Sequence, residues 1–188
     1  MSQGEKPVLE PNGRWLSDAV HCFCPFQGPR PEGEAISLLV IHNITLPPGL
    51  FGAPYIHQLF TGCVQTDYPA LEEVKDLQVS AHLLIRRDGQ VIQYVPFDRR
   101  AWHAGVSCFD GRSGCNDFSI GIEMEGCDHI PYENAQYQSL VRVTQALMEQ
   151  YPLITRARIV GHCDIAPERK TDPGPAFDWG LYFRLMDD

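Results

Sequence analysis

Runs of apolar residues along the chain predict a β-sheet with a hairpin at one point. Leu38–Ile41 is an unbroken apolar run, which is typical of a strand buried on both faces. Asp88-Gly89 is a strong hairpin signal between two apolar segments. The predicted strands are Leu38–His42, Val79–Ile85, Gln90–Val95, Ser119–Glu125 and Arg158–Gly161.

One helical stripe stands out, and the loops around it are long. Apolar positions recur at steps of three and four over residues 134–151, and Pro152 ends the pattern. Shorter helices are predicted over 54–60 and from about Asp178. Loops are expected over residues 61–77, 101–118 and 162–178. Strands mixed with helices predict the α/β class (α+β, mixed sheet), with helices packed on a central mixed sheet.

The length of the chain suits one compact domain. With 188 residues and ordinary apolar content, we expect residues 1–188 to form a single domain. The polar start of the chain, residues 1–30, is expected to wrap the surface of that domain. The 16 glycines and 15 prolines favour long, shaped loops over a helical bundle.

Charge and cysteine usage exclude several function classes. The net charge is −9, and basic residues occur as the scattered pairs Arg86-Arg87, Arg99-Arg100 and Arg169-Lys170. We therefore expect no nucleic-acid partner and no membrane partner. Seven cysteines, an odd number, and no apolar leader favour reduced thiols and a cytoplasmic location.

Two histidines follow predicted buried strands, and a carboxylate lies near the second in sequence. His42 ends one strand, His162 ends another, and Asp172 follows ten residues later. Two imidazoles and one carboxylate leave a fourth position open, as in catalytic zinc sites. Spacing alone favours a hydrogen-bonded structural role for each histidine over metal binding.

Four further side chains are candidates for chemistry or binding. Glu123 and Glu125 lie on the same face of one strand, so either can be a general base or the partner of an arginine. Lys170 can stabilise an oxyanion or remain a solvated charge. Trp102 can stack on a ligand or pack in the core.

Six ordered segments resemble the N-acetylmuramoyl-L-alanine amidase type 2 family, which is related to the peptidoglycan recognition proteins. The resemblance extends from about Pro31 to the end of the chain, and its last segment is long and specific. It implies a fold like that of the peptidoglycan recognition proteins. The segments are Ile41–Asn43, Val79–His82, Arg87–Gly89, Ala101–Gly105, Asn116–Gly126 and Gly161–Pro175.

The resemblance implies a zinc hydrolase with assigned roles. His42, His162 and Asp172 would bind one Zn²⁺ per chain. Glu123 would be the general base, and Lys170 would stabilise the oxyanion. Zinc and these two side chains would supply the activated water and the oxyanion stabilisation that amide hydrolysis needs.

The same resemblance implies the substrate. The reaction would be cleavage of the amide between the lactyl group of 1,6-anhydro-N-acetylmuramic acid and L-alanine, during cytoplasmic peptidoglycan recycling. Asn43, Trp102 and Arg169 would shape the cleft for this small muropeptide. We expect a monomer.

The chain departs from the family pattern at a few positions. Many relatives carry arginine where this chain has Gln78, and many carry another near Gly114, so affinity for the peptide carboxylates is in question. The segment His21–Cys24 also differs from the usual N-terminal region.

The alternatives to a recycling amidase are a non-catalytic muropeptide-binding module, a wall-lytic amidase acting on polymeric peptidoglycan, and a structural or interaction protein.

Overall fold

The structure is a computed structural model that describes residues 9, 10, 12–65 and 68–187. The strands are β1 Val20–His21, β2 Gln27–Pro29, β3 Leu38–Ile44, β4 Leu83–Ile85, β5 Val91–Gln93, β6 Arg99–Ala101, β7 Cys108–Phe109, β8 Arg112–Ser113, β9 Ser119–Glu125 and β10 Ile159–Gly161. The helices are α1 Tyr55–Thr61, α2 Pro69–Glu72, α3 Asn134–Gln150, α4 His162–Ile165 and α5 Trp179–Asp187.

Six strands form one mixed sheet in the order β1-β5-β4-β9-β3-β10. The strands β4, β9, β3 and β10 run parallel to one another, and β5 pairs antiparallel with β4 through the predicted hairpin. The longest pairing joins β3 and β9 over seven residues each. This arrangement confirms the predicted mixed sheet.

The two faces of this sheet have different roles because side chains alternate along each strand. One face presents Leu39 and Ile41 of β3 and Ile120 and Ile122 of β9 to a core that includes α3 and α5. The other face carries His42 and Glu123. The strongly apolar face is therefore used for stability, and the polar side chains lie on the face opposite the long helix.

The described part of the N-terminal segment runs along the domain. The strand β1 pairs with β5, and β2 pairs with β6. Arg30 then donates to the carbonyls of Phe97, Asp117 and Ser119. Residues 1–8 lie outside the described part of the chain, and the assignment of residues 1–188 to one domain stays a prediction.

The structure differs from the sequence prediction mainly in the loops. Residues 61–77 contain the short helix α2, and residues 101–118 contain the β7–β8 hairpin and a 3-10 turn at Cys115–Asp117. The expected strand Val79–Ile85 is ordered as a strand only from Leu83. Of the described helices, none has both the length and the apolar character needed to span a bilayer.

Candidate metal centre and active site

The register of the sheet brings two candidate residues together. His42 of β3 is paired directly with Glu123 of β9, so both side chains point to the same face. Gly161 of β10 is paired with Ile41, which places His162 next to His42. Residues 120 positions apart in the sequence thus meet at the ends of adjacent parallel strands.

A folded loop brings Asp172 back to the same place. The amide of Cys163 donates to the carbonyl of Asp172 at 2.9 Å, which closes the loop after β10. Asn43 Nδ2 donates to the carbonyl of Pro173 at 3.0 Å and to Asp128 Oδ1 at 2.8 Å. These bonds hold the Asp172 loop against the end of β3.

The three side chains form a tight triangle of ligand atoms. His42 Nδ1 lies 3.0 Å from His162 Nδ1 and 3.1 Å from Asp172 Oδ2, and the third side measures 3.0 Å. One ion with bonds of about 2.0–2.2 Å can reach all three atoms from a single point. Together these residues could hold a metal ion.

The outer nitrogens of both histidines have partners in one short segment. His162 Nε2 lies 3.2 Å from the carbonyl of Ala104, which can only accept, so Nε2 carries the proton and Nδ1 a lone pair. His42 Nε2 lies 2.9 Å from His103 Nδ1. Burial lowers the pKa of His42 to about 4, so it is a neutral imidazole near pH 7, the form that binds metals.

Glu123 lies beside this triangle with an unpaired oxygen. Its Oε2 is buried and has no hydrogen-bond partner among the described residues. Burial raises the pKa of Glu123 well above its usual value, the negative charge of Asp172 raises it further, and Lys170 opposes the shift. An unpartnered carboxyl with a raised pKa suits proton transfer.

Lys170 and Trp102 complete the walls of the cavity. The cavity measures about 260 Å³, and the metal triangle, Glu123 and both of these side chains line it. The guanidinium of Arg100 stacks over the Trp102 ring at 4.5 Å. The Trp102 amide donates to Ser80 Oγ at 2.8 Å. The indole is therefore held at the cavity wall instead of packing in the core.

The other predicted residues lie nearby with different surroundings. Asn43 lines the cavity. Arg169 instead donates to the carbonyls of Ala104 and Val106, at 2.7 and 2.9 Å, and so holds the loop that flanks the cavity. Glu125 is almost fully buried, and its carboxylate accepts from the amide of Gly52 and lies 3.7 Å from Arg86. Of the two roles predicted for Glu125, the structure therefore supports the second, in which the carboxylate is the partner of an arginine.

Sequence reasoning named no role for His103. This side chain lies between His42 and Ser119, with Ser119 Oγ 3.1 Å from its Nε2. Its pKa lies well below the usual value because desolvation disfavours the charged ring and because His42 lies beside it. The signal that could have found it is the family-resembling segment Ala101–Gly105, which contains His103 beside Trp102.

Comparisons with known proteins identify the family of this chain. The family model described as N-acetylmuramoyl-L-alanine amidase matches residues 32–175. The 1,6-anhydro-N-acetylmuramyl-L-alanine amidase AmpD of Enterobacter cloacae is 58% identical over 180 residues, which cover 95% of each chain.

Two solved structures show the same fold. A crystal structure of a selenomethionine AmpD derivative has a TM-score of 0.88 at 57% identity, and the match covers 92% of this chain and 96% of that one. The amidase AmiD of Escherichia coli was solved with anhydro-N-acetylmuramic acid-L-Ala-D-γ-Glu-L-Lys. It has a TM-score of 0.60 at 29% identity, covering 96% of this chain and 66% of that one. The chain therefore belongs to the N-acetylmuramoyl-L-alanine amidase family.

Proposed function

We propose that this protein is a zinc-dependent amidase that cleaves the bond between 1,6-anhydro-N-acetylmuramic acid and L-alanine in peptidoglycan recycling. The observation that carries the proposal is the convergence of His42, His162 and Asp172 beside Glu123 and Lys170 in one cavity. The substrate is supported by the similarity to AmpD amidases along almost the full length of the chain.

The donor set fits zinc. Two neutral imidazole nitrogens and one carboxylate oxygen are typical ligands of catalytic zinc sites, which keep one position open. The three ligand atoms lie 3.0–3.1 Å from one another, close enough for one cation to contact all of them. When bound, zinc activates water and polarises a carbonyl.

The side chains of the cavity supply the proton transfers and the charge stabilisation. Glu123 accepts a proton from the attacking water through its unpartnered carboxylate and then gives that proton to the leaving amide nitrogen. A raised pKa favours the first transfer, because it makes the carboxylate a stronger base toward the water proton. The ammonium of Lys170 stabilises the negative charge that develops on the carbonyl oxygen.

Other residues shape the cleft for a small muropeptide. Trp102 offers an indole face at the cavity wall, and Asn43 lines the cavity beside it. Arg169 acts through the loop carbonyls that it holds. We propose that the protein acts as a monomer in the cytoplasm. Its seven free thiols support a location that keeps cysteines reduced.

A cleavage assay tests this function directly. Purified protein is offered anhydro-muramyl-tripeptide and, separately, the same peptide on reducing N-acetylmuramic acid, each with and without a chelator. We expect mass spectrometry to detect free tripeptide mainly from the anhydro sugar, and only without chelator. Binding without cleavage would indicate a recognition module, and equal cleavage of both substrates would indicate a wall-directed amidase.

A further inference from the structure

His103 connects a metal-ligand candidate to the sheet. Its Nδ1 lies 2.9 Å from His42 Nε2, and its Nε2 lies 3.1 Å from Ser119 Oγ. The rings of His42 and His103 meet edge to face, with centroids 5.0 Å apart. The contacts form a continuous chain from His42 through His103 to the first residue of β9.

The chain of hydrogen bonds has one direction when His42 binds a metal. His42 Nδ1 belongs to the ligand triangle, so this atom must offer a lone pair and Nε2 must carry the proton. His42 Nε2–H then donates to Nδ1 of His103. The His103 proton consequently lies on Nε2, where Ser119 Oγ accepts it. His103 thus presents an acceptor to His42 at the position that the metal-binding tautomer needs.

His103 is also held mechanically. Asn116 Oδ1 accepts from the amides of His103 and Ala104, at 3.2 and 2.9 Å, which fixes the backbone. On the sheet side, Gly121 leaves room for the ring. A Cβ atom at Gly121 would lie 2.4 Å from Cγ of His103, far inside van der Waals contact. The ring therefore occupies a slot that only glycine allows.

We propose that His103 is a positioning residue that fixes the tautomer and the ring orientation of His42 for metal binding. This inference rests on the proposed metal centre. His103 touches a ligand and is not itself a member of the ligand triangle, so its effect is on affinity for the metal. Partners of this kind change metal affinity by about 10–100-fold when they are removed.

Three variants separate acceptor chemistry from simple packing. In His103→Asn, the amide oxygen can replace Nδ1 and still accept from His42. In His103→Gln, the side chain is longer and its amide nitrogen replaces Nε2, so the acceptor facing His42 is lost. Gly121→Ala keeps the imidazole but fills its slot. His57→Asn, on the exposed face of α1, is the matched control.

The measurement is the dissociation constant for Zn²⁺ alone, obtained by competition with a chromophoric chelator, with no substrate present. We expect about 10–100-fold weaker binding for His103→Gln and Gly121→Ala, and less than about threefold change for His103→Asn and the control. Circular dichroism of the metal-free proteins establishes that each variant is folded.

Three outcomes overturn the inference in distinguishable ways. If the wild-type protein binds Zn²⁺ and His103→Gln binds it equally well, the positioning role is wrong and the metal centre stands. The role is equally wrong if His103→Asn loses as much affinity as His103→Gln while both remain folded. If the wild-type protein itself binds no Zn²⁺, both the metal centre and the role of His103 fall.

Discussion

Glu123 and Glu125 are the same residue type on the same strand face, yet their surroundings give them different properties. The Glu125 carboxylate accepts hydrogen bonds from the backbone amides of Gly52 and Arg87, whereas Glu123 Oε2 has no hydrogen-bond partner among the described residues. The sequence could not separate the two, because the partners of Glu125 come from distant segments. At the scale of single residues, the fold therefore selects which carboxylate is available for chemistry.

We expect Glu123→Gln to bind zinc within about twofold of the wild type and to lose about 10²–10⁴-fold in turnover. The substitution keeps the shape of the side chain and removes the proton acceptor. Zinc content by elemental analysis and release of tripeptide by mass spectrometry check both parts. Glu32→Gln, at an exposed position, is the control. Turnover within tenfold of the wild type would remove Glu123 from the role of base.

At the scale of elements, long periodic segments could be predicted and short irregular ones could not. The stripe over 134–151 corresponds to α3, which ends at Gln150, because its buried positions follow the helical period. The strand predicted at Leu38–His42 extends to Ile44. The β7–β8 hairpin has two residues in each strand, too few for any period to be visible. The site residues could be predicted from their motifs. The contacts between them could not, because each contact joins segments that are far apart in the sequence.

Arg30 illustrates an element-scale contact that no local pattern indicates. Its guanidinium donates to the carbonyls of Phe97, Asp117 and Ser119, which joins the N-terminal segment to the start of β9. We expect Arg30→Met to lower the free energy of unfolding by about 3 kcal/mol, because these buried carbonyls lose their donors. Urea denaturation measures the change.

The control for this stability prediction is Arg184→Met, at an exposed position on α5. We expect the control to change the free energy of unfolding by less than about 0.5 kcal/mol. If Arg30→Met unfolds at the same urea concentration as the control, then the hydrogen bonds of the Arg30 guanidinium contribute nothing to stability.

At the scale of the whole molecule, the candidate metal centre combines parts that are far apart in the sequence. His42 lies on β3, Glu123 lies on the neighbouring strand β9, and Asp172 lies in the loop region that follows β10. An unfolded chain does not hold these groups together. The proposed zinc ion would therefore bind the folded state in strong preference to the unfolded one, and metal binding would be coupled to stability.

Metal removal should lower the thermal stability of the whole domain. With free zinc at about 100 times its dissociation constant, we expect the folded state to gain about 2.7 kcal/mol. For a chain of this size, that gain corresponds to a rise in Tm of about 5–10 °C over the chelator-treated protein. Differential scanning calorimetry measures the rise. His162→Ala should show almost none, and an equal rise in this variant would exclude His162 as a ligand.

The direct pairing of His42 with Glu123 fixes the spacing of these two side chains, whereas residues in the loops can change without affecting it. Backbone hydrogen bonds of β3 and β9 set the spacing of this pair, and a slip of one residue would turn one side chain to the opposite face. Trp102 instead lies in a loop at the cavity wall, where a substitution leaves the pairing of the strands undisturbed. Substitution of Trp102 should therefore change substrate preference while the reaction chemistry is kept.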